Sequence, residues 1–148
     1  MPVDLETQLN LLQDSQAVAE FAIDNDGAIA CDCSDHGIYW LALRPRLAPD
    51  ERFVVRVAWE RYPPAPPSIK FATEIQGRLD VTSAWPLIEG YRAGNFDICR
   101  PFTAEGFDTH PEWRTNSERW PADGGNPFLW VAHTLQYDLD NRYQGRSG

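Results

Sequence analysis

The sequence predicts an α+β domain in which helices flank an antiparallel β-meander. Leu5, Leu9 and Leu12 recur at helical spacing near the N-terminus. Phe53, Val55, Val57 and Trp59 alternate as strand residues do, and Phe128, Val131, Ala132, Leu135 and Leu139 make one apolar stripe near the C-terminus. With 148 residues, 43% hydrophobic and 24% charged, the chain has the usage of one domain, 1–148, able to bury a core without a metal or disulfide staple. Residues 142–148 read as a flexible tail.

Residues 3 to about 13 form the first helix, with Asp4 and Glu6 where the helix dipole favours carboxylates. Beyond it, Ala17, Ala19, Phe21 and Ile23 fit a continued helix and an alternating strand alike, until Asp24-Asn25-Asp26-Gly27 forces a turn. Ile38–Leu43 is rich in strand formers and stops at Arg44-Pro45; residues 52–59 form the next strand, and the two make an antiparallel pair. Tyr62-Pro63-Pro64-Ala65-Pro66-Pro67 cannot pair centrally in a sheet, and Ser68-Ile69-Lys70-Phe71 resumes as strand. Residues 73–125 lack regular pattern apart from an extended Asn95-Phe96-Asp97-Ile98-Cys99. A long irregular insert in a compact domain points to a functional segment, here an active-site loop pinned by Trp85, Tyr91, Phe96, Phe102, Phe107, Trp113 and Trp120. Asn126 and Pro127 then supply the N-cap and first residue of the C-terminal helix.

A net charge of −9 repels phosphate backbones and acidic lipid, which removes nucleic acid and membrane surfaces from the expected partners. The N-terminus carries no basic region followed by an apolar run, and no stretch is long enough to span a bilayer, so a cytoplasmic protein is expected. Cys31, Cys33 and Cys99 are odd in number and a Cys31–Cys33 bridge would be strained, so reduced thiols are expected. Cys31, Cys33, Asp35 and His36 match no closed zinc spacing, and no metal site is expected. His110 and His133 with Asp108 and Glu112 hold the elements of a hydrolytic site, although His133 falls at the border of the last helix's apolar stripe. Gly124-Gly125 precede a helix N-terminus without a phosphate-binding glycine and lysine pattern, so nucleotide chemistry belongs to a partner and no cofactor is expected.

In the order helix, meander, Tyr-Pro-x-x-Pro-Pro turn, strand, cysteine-bearing segment and helix, nearly the whole chain resembles the ubiquitin-conjugating enzyme (UBC) fold. Residues 53–59, the turn at Tyr62 to Pro67, Ser68-Ile69-Lys70-Phe71, Asn95-Phe96-Asp97-Ile98-Cys99, and Trp120-Pro121 ahead of the last helix carry the resemblance. The family's His-Pro-Asn tripeptide, whose place falls near Gly77-Arg78-Leu79, is absent. Extra residues precede Cys99, and a further insertion holds Phe107 to Trp113. These departures are similar to those of divergent bacterial members, which the resemblance links to activating enzymes, ubiquitin-like proteins and deconjugating peptidases.

The resemblance implies that Cys99 accepts a ubiquitin-like protein as a thioester from an activating enzyme and passes it to a target. A thiolate nucleophile needs partial exposure and electrostatic help, which Cys99 beside Arg100 meets; a small buried hydrophobe is the other reading of the same residue. Asn95 is the nearest side-chain amide for an oxyanion, and Asp108 or His110, beside Gly106, would take a proton from the incoming nucleophile. A solvated loop turning at His110-Pro111 is the alternative there. Without catalysis the same fold would be an adaptor for a ubiquitin-like protein or an activating enzyme, and a third reading is a structural subunit docking through its tryptophan-rich loop.

Overall fold

Asp4 caps the first helix, its side chain accepting the Thr7 amide at 2.8 Å. In the computed structural model, which describes residues 3–115, 120 and 125–148, this helix, α1 (Leu5–Asp24), runs through the stretch that fitted both helix and strand. Pro121 and Gly124 lie outside the described residues. The turn after α1 needs Gly27: a Cβ there would stand 2.2 Å from the Ala42 carbonyl oxygen.

Strands β1 (Ala28–Cys31), β2 (Ile38–Leu43), β3 (Phe53–Ala58) and β4 (Ser68–Ala72) form an antiparallel sheet in that order. The pairings Leu41 with Val55 and Val55 with Phe71 line up one inner face. Against it pack Leu11 and Val18 of α1 and Phe128, Val131, Leu135 and Leu139 of the C-terminal helix. That helix, labelled α3 (Pro127–Asn141), begins where Asn126 accepts the Leu129 amide at 2.9 Å. The expected α+β class, N-terminal helix, antiparallel meander and C-terminal helix are therefore present.

Leu5, Leu9 and Leu12 mark α1 as helical but do not mark its buried face. Thr7, Leu11, Val18 and Ala22 are buried, whereas the three leucines point to solvent. Tyr62 explains part of this. Its amide donates to Thr7 Oγ1 at 3.2 Å, its hydroxyl donates to Asp14, and it accepts the Phe128 amide at 3.2 Å, so the proline turn fixes the rotation of α1 against α3. Trp120 closes the turn, its indole N–H donating to the Pro63 carbonyl at 2.8 Å.

The outer sheet face carries a smaller cluster of Trp40, Ala42, Val54 and Ala72. Buried Asp32 accepts the Trp40 indole N–H at 2.9 Å, the Ser34 hydroxyl at 3.0 Å and the Ser34 and Asp35 amides at 3.1 Å. Burial opposes ionisation, but the Trp40, Ser34 and Gln76 bonds outweigh it and hold the carboxyl down to about 2. A depressed folded-state value contributes stability in full above 3.8, and that contribution is lost as the pH falls toward about 2. Asp32→Ala should cost about 2 kcal/mol in urea unfolding at pH 7, by stranding the indole N–H, and should flatten the loss of stability across that acid window.

Residues 73–125, expected as one long irregular loop, are divided into short elements. A 3₁₀ turn at Thr82–Ala84 leads to a hairpin of β5 (Tyr91–Arg92) and β6 (Asp97–Ile98) joined by a 3₁₀ turn at Ala93–Asn95, then to helix α2 (Ala104–Thr109) and a third 3₁₀ turn at Pro111–Thr115. The chain from 142 to 148, expected as a flexible tail, is hydrogen-bonded along residues 85–87. The Gln144 amide donates to the Leu87 carbonyl at 2.9 Å, the Leu87 amide donates to the Gly145 carbonyl at 2.7 Å, and the Ser147 amide donates to the Trp85 carbonyl at 2.9 Å. Arg146 also stacks over Phe53 at 4.2 Å. Among the described residues no helix is long and apolar enough to cross a membrane.

Candidate active site

Cys99 follows β6 directly and is partly exposed. The extended run expected over Asn95 to Cys99 is shorter than its composition suggests. Asn95 ends a 3₁₀ turn, Phe96 takes a left-handed conformation (φ 56°), and only Asp97 and Ile98 pair as strand. A bidentate pair closes the hairpin, with Arg92 Nε on Asp97 Oδ1 at 2.8 Å and Arg92 Nη2 on Asp97 Oδ2 at 2.7 Å. The Asp97 hydrogen bond, with the Asp97 charge behind it, holds the Arg92 guanidinium above its usual range against the cost of desolvation.

Three further contacts fix the backbone at and just before Cys99. Its amide donates to the Gly90 carbonyl at 2.8 Å, Lys70 Nζ donates to the Phe96 carbonyl at 2.6 Å, and Thr103 Oγ1 donates to the Ile98 carbonyl at 2.5 Å. Thr103 also caps α2, accepting the Gly106 amide at 2.9 Å. Gly106 is required for this close approach, since a Cβ there would lie 2.1 Å from the Arg100 carbonyl oxygen. Arg100 turns inward to Asp138 of α3 at 3.5 Å, and the buried Tyr91 hydroxyl donates to the same carboxylate at 2.6 Å. Burial, with Asp138 beside it, pushes the Tyr91 phenol well above its ordinary range, so it stays a neutral donor.

The other expected site residues sit elsewhere. Asn95 is exposed in the 3₁₀ turn. Asp108 is exposed on α2, paired with Arg114 at 3.7 Å, and lines a cavity of about 750 Å³ with Arg56, Trp59 and Arg61. His110 is stacked on Trp113 with ring centroids 4.3 Å apart and is bonded to Glu112 at 3.1 Å. Among the described residues no hydrogen bond or ion pair joins Asn95, Asp108 or His110 to Cys99. His133 is exposed on α3 against the Phe21 ring at 4.2 Å, away from His110 and its partners. Arg92, Asp97, Lys70 and Asp138 went unremarked in the sequence; the opposite charges of Arg92 and Asp97 across Gly94 were the available signal for the hairpin.

Cys31 and Cys33 are exposed at and just after β1. Partial desolvation, opposed by a bond from Tyr39 and assisted by the Asp32 and Asp35 charges, pushes the Cys31 thiol up, which keeps it protonated and a poor nucleophile. No group of three or more His, Cys, Asp or Glu side chains among the described residues is placed to hold a metal ion. Compared with known proteins, the sequence matches no family model and no curated protein.

Proposed function

We propose that the chain is a UBC-like acyl carrier that accepts a ubiquitin-like protein as a thioester on Cys99 and passes it to a target, with an activating enzyme supplying the ATP chemistry. The observation that carries this reading is a partly exposed thiol on a backbone pinned at Gly90, Phe96 and Ile98. In the transfer, Cys99 Sγ attacks the thioester carbonyl carbon. The new S–C bond forms as the old one breaks, and the proton lost by Cys99 ends on the departing thiol.

A second reading, an adaptor without catalysis, draws support from the engagement of Asp108 with Arg114 and of His110 with Trp113 and Glu112. One experiment separates the two. The chain is incubated with ATP, an activating enzyme already shown to charge, and its ubiquitin-like protein, and then run on a non-reducing gel. The carrier forms an adduct that dithiothreitol cleaves, absent from Cys99→Ala and retained in the Cys31→Ala/Cys33→Ala double variant. Binding of the ubiquitin-like protein without any adduct would establish the adaptor instead.

A further inference from the structure

The core leaves the outer face of α1 unused. Leu5, Leu9, Leu12, Gln16, Ala19 and Ile23 follow one another at alternating intervals of four and three residues, the a/d seam of a coiled coil. Leu5, Leu9, Leu12 and Ile23 are 66%, 55%, 60% and 68% exposed, while Leu11, Val18 and Ala22 on the opposite side are buried. The seam runs about 27 Å along the helix. A helix that packs on its own domain through Leu11 and Val18 has no use for a second apolar stripe, and contiguous exposed leucines mark interaction sites.

The charges around the seam select its occupant. Glu6 and Glu20 flank it on one edge, Asp24 ends it, and α1 contains no lysine or arginine. A second copy of the chain would bring the same acidic edge, and a net charge of −9, against itself. An anionic lipid surface would be repelled likewise. A helix with apolar a and d residues flanked by lysine or arginine meets both the seam and its edge. We propose that the outward face of α1 docks such a cationic amphipathic helix of a partner protein in coiled-coil fashion, with Gln16 as the polar a position that sets register.

The probe is a fluorescent peptide of three heptads with Leu at a and d and Lys at e and g, titrated with the full chain and read by anisotropy. A peptide with Glu at e and g is the control. Binding of the Lys peptide, weakening as salt rises, is expected. The Leu9→Gln/Leu12→Gln variant should lose roughly tenfold or more in affinity with unchanged thermal unfolding, since both residues already face water. Cys99→Ala should bind as the unaltered chain does, which separates this surface from the thioester chemistry. The proposal is overturned by equal binding of the Glu peptide, by no binding, or by undiminished binding of the double variant. Sedimentation showing a dimer that the double variant dissociates would overturn it in favour of self-association.

Discussion

Trp85→Ala is expected to lower the unfolding free energy by about 4 kcal/mol, the largest effect of any single truncation around the Cys99 segment. Trp85 is fully buried, with its ring 5.3 Å from Phe71 of the sheet and 6.5 Å from Phe96 ahead of Cys99. Alanine would leave a cavity where the sheet meets the hairpin. Its indole nitrogen has no hydrogen-bond partner among the described residues. Trp85→Phe therefore loses volume but also removes a stranded donor, and should cost less than about 2 kcal/mol. Urea unfolding of the two variants checks both figures; equal losses would mean that the indole N–H is satisfied in solution.

Asp138→Ala should cost about 3 kcal/mol and loosen the Cys99 backbone. The carboxylate is 1% exposed and accepts the Tyr91 hydroxyl at 2.6 Å, with Arg100 and Arg142 each at 3.5 Å. Removing it leaves a buried phenol without an acceptor and the inward Arg100 without its countercharge. The Arg142 side chain is half exposed, and its share of the loss is small. Tyr91→Phe strands less and should cost about 1 kcal/mol. Because Arg100 adjoins Cys99, iodoacetamide labelling of that thiol should quicken in Asp138→Ala and change little in Tyr91→Phe. Unchanged labelling in both would confine the network to a structural role.

Elements whose signals are local were legible. The Asn126 cap and the Phe128 to Leu139 stripe specify α3, the alternation in 53–59 specifies β3, and the prolines from Pro63 to Pro67 specify a turn, because each depends on neighbours within a few residues. β1 carries no local signal: the four residues Ala28-Ile29-Ala30-Cys31 are too few to set a period and become a strand by pairing Ala28 with Ala42 and Cys31 with Tyr39. The two-residue strands around Cys99 were hidden for the same reason. Of the candidate site, the cysteine and its neighbouring arginine were visible from chain order, whereas the contacts that hold them reach to Lys70, Gly90 and Asp138.

By itself, then, the sequence determined the α+β class, the helical state of both ends, the antiparallel meander and the acidic character of the chain. Only the tertiary structure decided that α1 turns Leu11 and Val18 inward and its leucine seam outward, that Asp108 and His110 engage partners other than Cys99, and that Asn95 is left exposed. Periodicity states that a helix has an apolar face but not which face a distant partner covers. The Tyr62 bonds to Thr7, Asp14 and Phe128 make that choice, and they join residues far apart in the chain, where no local pattern records them.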